Sequence, residues 1–234
     1  MSRPSLEEFS LILKKAGVIE LDMRPGGGAR LKHHEGDPIA LLSPYKFNFA
    51  TPEHPTRPGP VTQELLWTIS EMLWREVRSR RPRFDAIAGI PRAGEPIAEA
   101  LAALASERLG GTIPLLYFEK IEGPDGAREI GPVRNPESLR RGSLVLLVDD
   151  VVTRAHNKLE AIRRLEEAGF TVMCVLVVID REEGARYSIN RATGWKVELN
   201  SVLTARRLFD ALAFEYRWEV WSRIQAYLDQ TRDG

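Results

Sequence analysis

The stretch from Ser143 to Gly169, SLVLLVDDVVTRAHNKLEAIRRLEEAG, restricts this chain to very few folds. Leu144 to Val148 is an unbroken apolar run, the pattern of a strand buried on both faces, and such strands belong to parallel sheets covered by helices. Asp149 and Asp150 stand at its C-terminal end. The polar turn Thr153 to Asn157 then leads into an amphipathic helix predicted over Lys158–Ala168. Leu159, Ile162 and Leu165 fall on one side of it, and Arg163, Arg164, Glu166 and Glu167 mostly on the other. Gly169 suits the position just past the helix end. In open α/β sheets this junction of strand, turn and helix is where anionic ligands bind, because the helix N-terminus presents N–H groups. Two carboxylates beside such a site repel a bare phosphate. A sugar phosphate suits both, its hydroxyls donating to the acids while its phosphate accepts from the turn, and a Mg²⁺ is also welcome near an acidic pair.

The same alternation runs through the chain. A first helix is predicted over Ser5–Gly17, with Ser5 and Glu8 forming a capping box. Val18 to Leu31 reads as a short hairpin turning at Pro25 to Gly28, and a helix is predicted from about Thr62 to Arg80. Strands follow at Phe84–Ile90 and Ile113–Phe118, separated by a helix at Pro96–Leu109. Further strands are expected at Thr171–Ile179 and Lys196–Leu203, and one or two closing helices within Phe209–Asp229. Strands alternating with helices imply right-handed crossovers, and so a mostly parallel, doubly wound α/β sheet of about five strands.

Composition narrows the function. The 234 residues carry 33 basic and 33 acidic side chains, and this zero balance argues against a general nucleic-acid binder. No apolar run approaches a membrane span, and the N-terminal residues lack the apolar core of a secretory signal, so a cytoplasmic location is expected. The single cysteine, Cys174, lies in an apolar run and reads as a buried, inert thiol. His33 and His34 are adjacent, which is not a metal-ligand spacing, and no protein-bound metal site is expected. The arginines at positions 75, 78, 80, 81 and 83 read as a solvated helix end.

Each remaining candidate loop follows a predicted strand. GIPRAGEP, Gly89 to Pro96, combines glycines that let backbone N–H groups approach an oxyanion with the permanent charge of Arg92. The loop Glu119 to Pro132 is long, charged and punctuated by Gly and Pro, as a mobile lid would be. SPYKFN, Ser43 to Asn48, and IDREEGA, Ile179 to Ala185, complete the set.

Together with VLLVDDVVTRAHNKLEA, these segments resemble type I phosphoribosyltransferases, most closely the orotate phosphoribosyltransferases, in register from about Leu41 to Ala205. The resemblance implies a small N-terminal hood that helps bind the base, residues 1–60, on an α/β core, residues 61–234. It implies transfer of ribose 5-phosphate from phosphoribosyl pyrophosphate (PRPP) to orotate, with Mg²⁺ carried by PRPP, in a homodimer. Asp149 and Asp150 would hold the ribose hydroxyls. Arg92, Ala93 and Gly94 would hold pyrophosphate, with Lys120 or Arg128 closing over it as catalytic cations. Phe47 would pack on the pyrimidine, Thr153 would touch the base, and Arg181 would grip the orotate carboxylate. The departure from the family lies at Arg154, Ala155, His156 and Asn157, which replace a Thr-Gly-Gly-Ser type loop around the 5′-phosphate. A left-handed backbone at Ala155 or His156 would be strained. Arg154 and His156 are expected to substitute charge for backbone donors, with Asn157 capping the helix. This departure keeps open a homologue that binds PRPP without turnover, or a transferase acting on another base.

Overall fold

The computed structural model describes residues 4–24, 27–31, 39–54, 58–122 and 128–231. Five parallel strands form the central sheet in the order β4-β3-β7-β8-β9: β3 (Ala86–Gly89), β4 (Leu115–Leu116), β7 (Leu144–Val152), β8 (Thr171–Asp180) and β9 (Glu198–Thr204). Alternate side chains of these strands feed two cores. Ile87, Leu146, Val148, Leu176 and Val178 pack beneath helices α2 (Gln63–Arg80) and α3 (Gly94–Leu109). Ala88, Val145, Leu147, Val175 and Val177 pack beneath α4 (His156–Glu167) and α5 (Ala185–Thr193). From β3 the chain crosses by α3 to the edge strand β4, then returns past β3 to lay down β7, β8 and β9 on the other side. The order in which strands are laid down therefore reverses between the parallel neighbours β3 and β7, and a crevice opens at their C-terminal ends.

The N-terminal elements join the first core. In α1 (Leu6–Lys15) the Ser5–Glu8 capping box is formed, and Phe9 and Leu13 are fully buried. Thr62 caps α2, and Leu65, Leu66, Ile69, Leu73 and Trp74 on its apolar side are all buried. The hairpin expected over Val18–Leu31 does not form. Instead β1 (Ile19–Leu21) pairs with β2 (Tyr45–Phe47), which lies beyond the Gly-rich stretch. The physical reason is Tyr45, whose ring must be buried and which brings its strand to β1. Two helices close the chain, α6 (Ala205–Ala211) and α7 (Trp218–Thr231).

Three other boundaries differ from expectation. β7 runs on through Asp149 and Asp150 to Val152, because the neighbouring strand β8 continues to offer ladder partners up to Asp180. α5 was not predicted; only Ala185 and Ile189, one turn apart, are buried in its polar sequence. The stretch expected to be a loop after Phe118 is an antiparallel ribbon of β5 (Phe118–Glu122) and β6 (Arg128–Val133). Phe118, Ile130 and Val133 are buried at its base, and Arg164 of α4 donates to the Ile130 carbonyl at 3.0 Å. Residues 123–127, at the ribbon's far end, lie outside the described residues, as do His33 and His34. No described helix is long and apolar enough to cross a membrane.

Candidate active site

A cavity of about 680 Å³ opens at the C-terminal ends of β3 and β7. Its wall is built from three adjoining segments: Ile90 to Ala93, Asp149 to Val151, and Thr153 to Leu159, with Ser188 of α5 at one side.

The first segment depends on its two glycines. A Cβ on Gly89 would lie 2.6 Å from the Gly94 carbonyl, and one on Gly94 would lie 2.8 Å from Asp149 Oδ1. These glycines let α3 start directly against the two strands, which brings Arg92 and Ala93 to the acidic pair. Close helix–strand packing is thus one requirement these glycines meet. Pro91 and Arg92 are joined by a cis peptide bond. Arg92 Nη1 is buried and has no hydrogen-bond partner among the described residues.

The acids differ from one another. Asp149 is buried and forms an ion pair with Lys158 at 2.5 Å, both side chains 7% exposed. Lys158 Nζ also donates to the Val151 carbonyl. Asp150 is more open; its Oδ1 accepts from the Val151 N–H at 2.6 Å. Burial first, and then the Asp149 charge, push the Asp150 carboxyl well above the ordinary carboxylate range.

The altered turn keeps a left-handed residue at one position, Ala155, with φ 66°. His156 already begins α4, so only Ala155 bears the expected strain, at about 1 kcal/mol. No side chain caps α4. Asn157, expected to cap it, is the second residue of the helix instead, because the helix starts earlier than its hydrophobic pattern indicated. Arg154, Ala155, His156 and Asn157 all line the cavity, as do Thr153, Arg92, Ala93, Asp149 and Asp150. Gly94 adjoins the wall as the first residue of α3.

Phe47 and Arg181 lie apart from this lining and meet each other instead. The Arg181 guanidinium is 5.8 Å from the Phe47 ring and 4.3 Å from the Tyr45 ring. Arg181 is only 2% exposed. Its Nε pairs with Glu183 at 2.8 Å, and its Nη2 donates to Ser43 at 2.9 Å and to Tyr227 at 3.3 Å. Burial works against its charge, but Tyr45, Glu183 and Tyr227 more than offset this and hold the guanidinium above its ordinary value. The Arg181 N–H bonds the Val152 carbonyl at 3.0 Å, so this cluster begins one residue from Thr153. Lys120, on the ribbon, pairs with Glu95 in the first turn of α3 at 2.7 Å. Arg128 opens β6, and its side chain lies outside the described residues.

Lys158 and Ser188 are cavity residues that motif reading passed over. Lys158 had one usable signal: a lysine in the first helical turn, a poor place for a cation unless an acid lies nearby. Ser188 had none, since α5 itself was not predicted. Among the described residues no group of three or more His, Cys, Asp or Glu side chains is placed to hold a metal ion.

An open α/β sheet with an acidic strand end, an arginine loop and a helix N-terminus around one crevice is the arrangement at which such sheets in general bind anionic ligands. The chain belongs to the phosphoribosyltransferase family: the phosphoribosyl transferase domain model matches residues 62–201. Its curated relatives include the orotate phosphoribosyltransferase of Cenarchaeum symbiosum, 31% identical over 183 residues and covering 77% of each chain. The orotate phosphoribosyltransferase of Sorangium cellulosum is 35% identical over 116 residues, which span 50% of this chain and 58% of that one. Among solved structures, orotate phosphoribosyltransferase of Francisella tularensis superposes with a TM-score of 0.67 over 99% of this chain and 98% of that one, at 17% identity. That last likeness concerns the fold alone.

Proposed function

We propose that this chain transfers ribose 5-phosphate from PRPP to orotate, as the names of its curated relatives suggest. The observation that carries this reading is the buried, unpartnered Arg92 Nη1 in the wall of a cavity that also holds Asp150 and the uncapped start of α4. A buried guanidinium N–H without a partner costs free energy that an anionic ligand recovers. In this scheme the diphosphate lies against Arg92 and Ala93, the ribose hydroxyls donate to Asp150, and the 5′-phosphate meets the start of α4, flanked by Arg154 and His156. The bond from C1 to the diphosphate oxygen breaks and a bond from C1 to N1 of the base forms, the N1 proton passing to solvent. Placement and electrostatics supply most of such catalysis. Mg²⁺ arrives with PRPP, and Lys120 or Arg128 of the ribbon closes over the diphosphate. Phe47, Thr153 and Arg181 form the base side, with the hood of residues 1–60 covering it. A cytoplasmic homodimer completes the proposal.

Loss of orotate absorbance, in the presence of PRPP and Mg²⁺, tests the reading. The expected result is stoichiometric conversion of orotate. A specific observation favours a second reading. Arg181 is already committed to Glu183, Ser43 and Tyr227, so an orotate carboxylate would have to share it. A protein whose melting temperature rises with PRPP, yet which leaves orotate intact, would be a binder without turnover or a transferase for another base.

A further inference from the structure

The pocket poses an electrostatic problem. PRPP and its relatives are polyanions, yet the cavity wall at the end of β7 carries two adjacent carboxylates. At a separation of about 4 Å, each unit charge interacts with another by about 1 kcal/mol in water and several times more where solvent is excluded. Two unscreened carboxylates would therefore oppose the ligand that the arginine loop and the helix N-terminus attract.

The chain supplies its own answer. Lys158 stands in the first turn of α4, where the helix dipole disfavours a cation. It is also nearly fully buried, where an ammonium is costly without a partner. Both costs are offset by one interaction: the turn from β7 into α4 folds Lys158 back over the strand end, where it meets Asp149 and the Val151 carbonyl. The pair is neutral as a unit. The paired Asp149 and Lys158 share the cavity wall with Asp150, Arg92, Arg154 and His156, and of the two acids Asp150 is the more open.

We infer that Lys158 is a positioning residue of the sugar-phosphate site, holding Asp149 and cancelling its charge so that the pocket accepts a phosphorylated sugar. The inference rests on the phosphoribosyltransferase reading and deepens it. Asp149 is then a fixed, neutralised support, and Asp150 alone is the carboxylate offered to sugar hydroxyls. Lys158 works through Asp149, not by touching the ligand.

Ribose 5-phosphate is a suitable probe, because it carries the hydroxyls and the phosphate without a diphosphate or bound metal. Its affinity would be measured by calorimetry for wild type, Lys158→Met, Asp149→Asn and the double variant, with melting temperatures recorded alongside. Lys158→Met is expected to weaken binding at least tenfold, because it uncovers the Asp149 charge. In the Asp149→Asn background the same substitution is expected to change affinity less than threefold, because no charge is left to cancel. Equal binding by wild type and folded Lys158→Met would overturn the inference. So would a tenfold loss that persists in the Asp149→Asn background, since Lys158 would then act on the ligand itself. Should Lys158→Met fail to fold, Lys158→Gln keeps a hydrogen-bond donor to Asp149 while removing the charge, and the same two comparisons apply. Wild-type protein that binds no ribose 5-phosphate and no PRPP would remove the site reading as well, an outcome distinct from binding that is merely insensitive to position 158.

Discussion

Two polar clusters lie within one residue of each other and balance their charges differently. Around Arg181 the charges answer one another within the chain, guanidinium to Glu183, Ser43 and Tyr227 and ring to ring among Tyr45, Phe47 and Phe209, and of the polar atoms there the buried Tyr45 hydroxyl lacks a partner among the described residues. Around Arg92 and Asp150 the balance is incomplete, with a buried N–H that lacks a partner and a carboxyl held at a raised pKa. The Arg181 cluster holds β2, the end of β8 and α7 together. The open one stores unfavourable electrostatics that a ligand can relieve. The two neighbours thus meet their charges differently, and substitution on either side tests the difference.

The largest effect is expected at Arg181. Arg181→Ala leaves Glu183 buried without its cation, at a cost of about 3 kcal/mol or more. That corresponds to a fall in melting temperature of roughly 6–12 °C for a chain of this size. Arg181→Met combined with Glu183→Gln should recover part of the loss. A stable Arg181→Ala protein that fails only to bind orotate would instead put this arginine among the open groups. Arg92→Ala should behave in the opposite way, with melting changed little and PRPP affinity in calorimetry reduced about tenfold to a hundredfold, the range for a charged hydrogen bond. A destabilised Arg92→Ala protein with normal PRPP affinity would erase the contrast.

Asp150→Asn should stabilise the ligand-free protein. The folded carboxyl titrates above its unfolded value, so the acid favours folding fully below the unfolded range near pH 4 and loses that advantage as pH rises through the raised value. Wild type therefore falls behind the amide as pH increases, by about 1–2 kcal/mol at the plateau, after discounting for partial solvent screening. Melting curves across pH 4 to 9 read the difference, and equal curves throughout would place Asp150 in an ordinary solvated setting. The smallest effect is expected at Ala155. Glycine there relieves left-handed strain but removes a buried methyl and loosens the unfolded chain, so Ala155→Gly should change stability by less than about 0.5 kcal/mol. Ala161→Gly, inside the same helix, should cost about 1 kcal/mol or more in denaturant unfolding.

The amino-acid order determined the sheet class, the cap of the first helix at Ser5, and the strand-to-helix junctions near which Arg92, Asp149, Asp150 and Thr153 sit. Those features arise from periodicity and from neighbours a few residues apart, which a linear reading can see. It could not see which polar groups would be spent inside the protein. Arg181 and Lys158 are each a cation in a polar stretch of sequence, and beyond the place of Lys158 in a first helical turn nothing local distinguishes one committed to an internal carboxylate from one held for a ligand. The pairing of β1 with β2, the ribbon of β5 and β6, and the extension of β7 through the acids were likewise decided by partners distant in sequence. Only the tertiary structure brings Ser43, Glu183 and Tyr227 to Arg181, because burial of the Tyr45 ring, the turn of β8 into α5 and the docking of α7 must all be satisfied at once. Charge pairing at short range depends on that three-dimensional closure, and it is there that this chain separated what stabilises it from what is left for a ligand.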